Sequence, residues 1–207
     1  KVHISSIYYP KNLKLISNPP QDLYIKGDLN PEYFDKCISI VGTRHPTEYG
    51  KRVTRDLVNT LCLNQIICVS GFMYGIDMIV HKTCVDNNCK TIAILPYGIN
   101  KKVNNKLNSI YEGILKSGGL VISEYPGNEE PQKWMFIKRN RIVSGISNAV
   151  VITEASLNSG SLTTAKIAKE QNKRLYAICG HIDCEVSKGV NFLIKQKAPY
   201  PNYIRLI

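Results

Sequence analysis

The chain has 207 residues, of which 43% are hydrophobic, a content that excludes an intrinsically disordered protein and is enough for one sizeable buried core. Its 27 basic and 16 acidic residues give a formal net charge of +11, which favours an anionic partner. Because no apolar run approaches the roughly 20 residues of a membrane-spanning helix, the sequence predicts no membrane span.

Residues 1–36 differ in pattern from the rest of the chain. They show little periodicity, and the prolines Pro10, Pro19, Pro20 and Pro31 argue against a long helix. We therefore expect an extended lead-in with short strands that packs on one edge of a core formed by residues 37–207.

From residue 37 onward, short apolar runs alternate with amphipathic stretches. The apolar runs predict strands at residues 38–41, 66–69, 91–95, 120–122, 149–152 and 175–178. The amphipathic stretches predict helices at residues 49–63, 75–85, 104–116, 139–146, 161–171 and 187–195. This alternation indicates βαβ units, and hence an α/β fold with a doubly wound, mostly parallel sheet and an extended Rossmann-like core.

Ligands of open α/β sheets bind beyond the carboxyl ends of the strands, where this chain has four candidate segments. In the first, Gly42 lets the backbone approach an anion, Thr43 offers a hydroxyl and Arg44 can hold a phosphate with two N–H groups. In the second, Ser70 and Gly71 lead into a predicted helix whose free N–H groups suit a phosphate.

The third segment, residues 133–147, reads KWMFIKRNRIVSGIS and is the most informative part of the chain. It combines cations with aromatic rings, and no acidic residue occurs between Pro131 and Thr153. Cations bind phosphates, whereas aromatic rings stack on unpaired bases, so the segment predicts a groove for single-stranded nucleic acid. The alternative is a solvated basic helix start with both aromatic rings in the core. The residues concerned are Lys133, Trp134, Phe136, Lys138, Arg139 and Arg141.

The fourth segment has small hydroxyl residues around Gly160 at the start of a predicted helix. Ser159, Ser161 and Thr164 suit a phosphate at that position, although capping of the helix by Ser159 or Ser161 is the alternative. Four such segments at one sheet edge favour an extended anion-binding groove.

Catalysis finds little support in the sequence. The HExxH, GxSxG and Walker motifs are absent, and His81 lies inside a predicted helix, where a structural role is expected. Glu124 and Glu154 follow predicted strands, and we expect them to orient arginines or backbone amides. We therefore name no catalytic residue.

The seven cysteines indicate reduced thiols rather than a disulfide framework. Their number is odd, several lie in apolar runs, and the sequence shows no signal peptide, so we expect a cytoplasmic protein. The segment from Cys179 to Cys184 lacks a second ligand pair at the spacing of a zinc site. We expect no metal, and no cofactor is implied.

The order of these motifs is similar to that of a known family. The matching stretches are IVGTRHPTEYG (residues 40–50), VSGFMYGID (69–77), GLVISEYP (119–126), FIKRNRIVSGIS (136–147) and EASLNSGSLTTAKIA (154–168). Over nearly its whole length the chain resembles the DprA/Smf family of bacterial DNA-processing proteins.

The resemblance implies a non-enzymatic, single-stranded DNA-binding recombination mediator that protects incoming DNA and loads RecA during natural transformation. It also implies a homodimer. The positions that match the family's DNA-contacting loops are Arg44, Lys133, Phe136, Arg139, Asn140 and Arg141. Those that match its phosphate-type loops are Ser70, Gly71, Gly160 and Ser161. We expect the SAM-like and winged-helix-like domains that flank the core in many members to be absent from this chain.

The chain departs from the family pattern at several positions. Met73 and Tyr74 stand where the family usually has alanine and arginine, which removes a cation from the second segment. Val103 and Asn104 replace a usual Tyr-Pro pair. These departures bear on the fine shape of the predicted groove.

Two other functions stay open. The nearest relatives in fold include LOG-type phosphoribohydrolases, small-molecule enzymes whose PGGxGTxxE motif supplies a glutamate for acid–base work. Residues 158–168 read NSGSLTTAKIA, without that glutamate. The remaining possibility is a nucleotide-sensing or protein-docking module.

Overall fold

The computed structural model describes residues 1–199. Its strands are β1 (Val2–His3), β2 (Asp22–Lys26), β3 (Cys37–Val41), β4 (Ile67–Ser70), β5 (Thr91–Leu95), β6 (Leu120–Ser123), β7 (Ala149–Ile152) and β8 (Arg174–Ala177). Its α-helices are α1 (Lys11–Lys14), α2 (Glu48–Leu63), α3 (Ile76–Asp86), α4 (Asn105–Lys116), α5 (Lys133–Ile146), α6 (Gly160–Glu170) and α7 (Lys188–Lys195). Short 3₁₀ turns occupy Pro31–Phe34 and Glu185–Ser187.

The strands form one sheet in the order β1-β2-β6-β5-β4-β3-β7-β8. All pairs from β6 to β8 in this order are parallel, whereas β2 pairs with β6 and β1 with β2 in antiparallel fashion. The chain moves outward from β3 to β6 and then returns to place β7 on the other side of β3. The loops after β3 and β7 therefore diverge, which opens a crevice at the carboxyl ends of these two strands.

Helices cover both faces of the sheet, so the parallel strands are apolar on both faces. In β3, Ile38 and Ile40 pack on the face that contacts α2 and α3, whereas Cys37 and Val41 pack on the opposite face with α5 and α6. The predicted doubly wound α/β fold is confirmed, and the six predicted core strands lie within one residue of β3 to β8.

The helix α5 begins earlier than the sequence pattern predicted, at Lys133 rather than at residue 139. Met135, Arg139, Ile142 and Ile146 are among its buried positions and recur at intervals of three or four residues. One of them is an arginine, and a buried cation interrupts the apolar repeat that would otherwise reveal the helix. The basic segment is therefore a helix with several faces rather than a loop.

The lead-in adds to the sheet and to its core. Tyr24 in β2 is in register with Ser123 in β6, and Leu13 in α1 contacts α5 at Gly145, where a β-carbon would lie 2.9 Å from the leucine side chain. The assignment of residues 37–207 as one domain stays a prediction, and its last eight residues lie outside the described part. Within residues 1–199, no helix is both long enough and apolar enough to cross a membrane.

Candidate nucleic-acid interface

A cavity of about 490 Å³ lies at the crevice where the chain reverses direction. The loops after β3, β4 and β7 and the first turns of α5 and α6 enclose it. Twelve of the fourteen predicted site residues line it: Gly42, Thr43, Arg44, Gly71, Lys133, Phe136, Arg139, Asn140, Ser159, Gly160, Ser161 and Thr164. Their role in binding stays a prediction, but the fold brings them together.

The loop after β3 is fixed by backbone contacts on two sides. The Thr43 N–H donates to the Glu154 carbonyl at 2.7 Å, and the Ile76 N–H donates to the Thr43 carbonyl at 3.1 Å. A β-carbon on Gly42 would lie 2.5 Å from the Ile76 side chain, so only glycine fits there. The fixed loop presents Arg44 to solvent, with its guanidinium carbon 5.9 Å from the centre of the Phe136 ring.

One face of α5 forms a wall of the cavity. Lys133, Phe136, Ile137 and Asn140 line it at the spacing of a single helix face. Phe136 is half-buried and Lys133 is exposed, while the core position of this turn is taken by Met135. The alternative of a basic helix start with its aromatic rings in the core is therefore not observed.

Arg139 lies at the base of the cavity and is only 4% exposed. Its Nη1 group donates to the carbonyls of Gly71 and Ile94, at the ends of two neighbouring strands. A β-carbon on Gly71 would lie 2.5 Å from the guanidinium group, so this glycine makes room for it. Burial lowers the pKa of Arg139 to about 10, although Asp77 opposes that shift. Arg139 thus braces the loops and adds positive charge beneath the cavity.

Asp77 lies beside Arg139 in the first turn of α3 and also lines the cavity. Its carboxylate accepts from the Met73 N–H at 3.3 Å. Burial raises the pKa of Asp77 to about 6, and the positive charge of Arg139 opposes this shift. The base of the cavity therefore contains a buried acid together with the buried cation.

The N-terminus of α6 opens onto the cavity. Ser159 accepts from the Leu162 N–H at 3.4 Å, and its hydroxyl lies 2.8 Å from that of Ser161. A β-carbon on Gly160 would meet no heavy atom within 4 Å, so the space above this turn is open. Thr164 is buried and donates to the Gly160 carbonyl. Capping by Ser159 therefore occurs in a turn that also faces the cavity.

Two predicted site residues, Ser70 and Arg141, do not line the cavity. The Ser70 hydroxyl is buried and donates to the Ile40 carbonyl at 2.6 Å. Arg141 lies about 200° around α5 from Arg139, and its guanidinium pairs with Glu124 at 2.6 Å. The orienting role predicted for Glu124 is confirmed by this pair. That of Glu154 is confirmed by its carboxylate, which accepts from the Thr47 N–H at 2.9 Å.

Sequence reasoning missed Tyr74, Ile137 and Asp77 as cavity residues. Tyr74 and Ile137 are largely exposed, and their position on the cavity wall depends on how α5 crosses the loop after β4. The usable signal for Tyr74 was its place in the loop between Gly71 and Gly75 that follows a predicted strand.

Other candidate chemistry is not assembled in the described residues. His81 is buried beside Thr91, with its Nδ1 atom 2.9 Å from the threonine hydroxyl, and burial lowers its pKa to about 3. All seven cysteines are free. Within residues 1–199, no group of three or more histidine, cysteine or acidic side chains could hold a metal ion.

Comparison with known proteins identifies the family. The family model described as "DNA recombination-mediator protein A" matches residues 2–205. The "DNA processing protein DprA" of Bacillus subtilis is 36% identical over 95% of this chain and 66% of its own length. The "Protein Smf" of Escherichia coli K12 is 35% identical over 93% of this chain and 51% of its own length. The chain thus spans between about half and two thirds of the length of these relatives.

Solved structures agree with this result. DprA from Streptococcus pneumoniae matches 97% of this chain and 70% of its own, with a TM-score of 0.89 and 32% identity. DprA from Helicobacter pylori, which binds single-stranded DNA, matches 92% of this chain and 86% of its own, with a TM-score of 0.83 and 31% identity. A molybdenum cofactor binding protein from Rippkaea orientalis, at 15% identity and a TM-score of 0.55, shares the fold alone. The sequence and structural matches together show that the chain belongs to the DNA recombination-mediator protein A family, also known as the DprA/Smf family.

Proposed function

We propose that this chain binds single-stranded DNA in the cavity at the carboxyl ends of β3 and β7. The observation that carries the proposal is a cavity in which the exposed Arg44 lies over the half-buried ring of Phe136, with exposed Lys133 on the same wall and the open N-terminus of α6 beside them. Exposed cations and helix N–H groups suit phosphates, and an aromatic ring suits an unpaired base. The single-stranded DNA binding of the Helicobacter pylori relative supports the same function.

The arrangement favours single strands over duplexes. A base reaches Phe136 only when it is unpaired, because the ring lies inside a concave site rather than on an open surface. The cations contact phosphates, which every sequence shares. We therefore expect little dependence on base sequence.

Membership of the family supports a biological role for this binding. We propose a recombination mediator that protects incoming DNA and loads RecA during natural transformation, acting as a cytoplasmic homodimer and without catalysis of its own. The family description as a recombination mediator and the DprA names of the relatives support this role.

The experiment that tests binding is fluorescence anisotropy of a labelled single-stranded oligonucleotide across a salt series, with a duplex of the same length as control. We expect tight binding that prefers the single strand, with a log–log salt slope of about −0.7 for each contacted phosphate. Absent binding, or equal affinity for both forms, would contradict the proposal.

A second candidate function is a LOG-type phosphoribohydrolase activity. The observation that favours it is Asp77, a buried carboxyl in the cavity whose pKa burial raises to about 6, in the range of a general acid or base. Release of free base from a nucleoside monophosphate, lost in Asp77→Asn, would support this alternative over DNA binding.

A further inference from the structure

The helix α5 presents a second aromatic and basic face beside the one that lines the cavity. Trp134 and Lys138 lie one turn apart on a helix face about 100° around the axis from the cavity face, and Arg141 follows them on the same side but is only 11% exposed. Trp134 is 54% exposed. It is also the only tryptophan of the chain.

The indole of Trp134 is held in place but not covered. It makes an edge-to-face contact with Tyr125, with ring centres 6.1 Å apart and planes at 83°. In this geometry at least one face of the indole stays free of Tyr125. A fixed ring with a free face is the arrangement on which an unpaired base stacks.

One cation lies beside this ring. The Lys138 ammonium lies 5.8 Å from the Trp134 ring centre and 5.6 Å from that of Tyr125. Lys138 and Arg141 share one carboxylate, that of Glu124, at 3.4 Å and 2.6 Å. Although the Glu129 carboxylate also acts on Tyr125, the Lys138 side chain is 39% exposed and can donate to a phosphate.

The face is continuous with the proposed DNA site. Lys133 lines the cavity and immediately precedes Trp134 at the start of α5. Tyr125 follows β6, so it lies at the same sheet edge as the loops of the cavity. A strand that leaves the cavity past Lys133 meets Trp134 without crossing the body of the protein.

We propose that the Trp134 face, defined by Trp134, Tyr125 and Lys138, is a second stacking platform for nucleotides of the same DNA strand outside the cavity. This inference rests on the proposed function. It commits the face to single-stranded DNA, because an exposed indole beside a cation fits a base and its phosphate.

The test uses the only tryptophan as its own reporter. Thymidine oligomers of graded length, from about 4 to about 16 nucleotides, cover the range of site sizes known for single-strand-binding folds. Anisotropy reports binding as a whole, and tryptophan emission reports the Trp134 face. We expect emission to be quenched only by oligomers that are long enough to extend beyond the cavity.

Variants of Trp134 distinguish a base that stacks on the indole from DNA that only passes near it. We expect Trp134→Leu to weaken binding of the long oligomers about tenfold and to leave the shortest unaffected, whereas Trp134→Phe retains most of the affinity. Leu63→Ala is the matched control, because Leu63 is equally an exposed apolar side chain but lies at the far end of α2, and it should change nothing.

The outcomes distinguish this inference from the proposed function. If wild-type protein binds no oligomer, the proposed function fails. If it binds and Trp134→Leu binds every length equally well, the platform is disproved while the cavity stands. A Trp134→Leu variant that binds DNA normally but loses association with a recombinase filament would assign the face to a protein partner and overturn the inference.

Discussion

A cavity lies at each end of the parallel strands, one at their carboxyl ends and one at their amino ends. The smaller of the two has the features of an anion site. The cavity at the carboxyl ends measures about 490 Å³, and one at the amino ends of β3, β4 and β5 measures about 640 Å³. The larger cavity mixes acidic Glu32 and Asp35 with basic Lys36 and Lys90. Its Lys90 ammonium already lies 4.4 Å from the Tyr33 ring centre.

The direction of the backbone explains the difference. Helices α3 and α6 begin at the carboxyl ends of the strands, so the positive ends of their dipoles lie at that cavity, whereas α2 and α3 end near the other cavity, where the negative ends of their dipoles lie. Cavity volume alone therefore does not identify the site. The polarity of the helices and the sign of the charges favour the cavity at the carboxyl ends of the strands.

The largest expected effect comes from Arg139, the buried cation at the base of the cavity at the carboxyl ends of the strands. Arg139→Ala leaves the carbonyls of Gly71 and Ile94 without their donor and Asp77 without its compensating charge. We expect a loss of about 3 to 5 kcal/mol in the free energy of unfolding, measured by urea denaturation. Arg139→Lys keeps the charge and should lose less. An unchanged unfolding midpoint in Arg139→Ala would contradict the bracing role.

The next effect is a pH dependence from Asp77. Its pKa of about 6 in the folded protein exceeds the value of about 3.9 in an unfolded chain, so the folded state binds the proton more tightly. Above pH 6 the ionised Asp77 therefore lowers the free energy of unfolding. As the pH falls towards 4 and Asp77 is protonated, the free energy of unfolding rises by about 3 kcal/mol. Asp77→Asn should remove this pH dependence. The measurement is the urea unfolding midpoint of the wild-type protein and of the variant, each at pH 5 and at pH 7.5. Parallel pH profiles for both proteins would disprove it.

The smallest expected effect is on DNA binding, and it is measured by substitutions in each of the two cavities. Arg44→Ala or Lys133→Ala should weaken binding of single-stranded DNA by about 1 to 2 kcal/mol and reduce the magnitude of the salt slope by about 0.7. Lys90→Ala, an exposed lysine of the other cavity, is the matched control and should leave both unchanged. Full affinity and slope in Arg44→Ala would remove that residue from the site. An equal loss in Lys90→Ala would show that only the overall charge matters.

Much of the site was predictable because its signals are local. A glycine directly after an apolar strand, as at Gly42, indicates a loop at the carboxyl edge in any parallel sheet. The same reasoning located Gly71 and the turn around Gly160. These residues needed only the alternation of strands and helices, which the periodicity of the chain reveals.

The direction of individual side chains was not predictable in this way. Ser70 and Gly71 are neighbours, yet the serine hydroxyl bonds within the sheet and only the glycine lines the cavity. Arg139 and Arg141 share one short motif, yet the first braces two strand ends and the second pairs with Glu124. Such choices depend on partners far away in the sequence.

The sequence by itself determined the α/β class, the core strands and the position of the loops that line the cavity, because hydrophobic periodicity and glycine placement act over a few residues. Only the tertiary structure decided that β7 returns beside β3 and opens the crevice there, that α5 extends back to Lys133, and that this helix divides its cations and rings between two faces. The physical reason is that strand order and helix orientation are fixed by long-range packing, in which a buried arginine can occupy a place that the sequence pattern reserves for an apolar side chain.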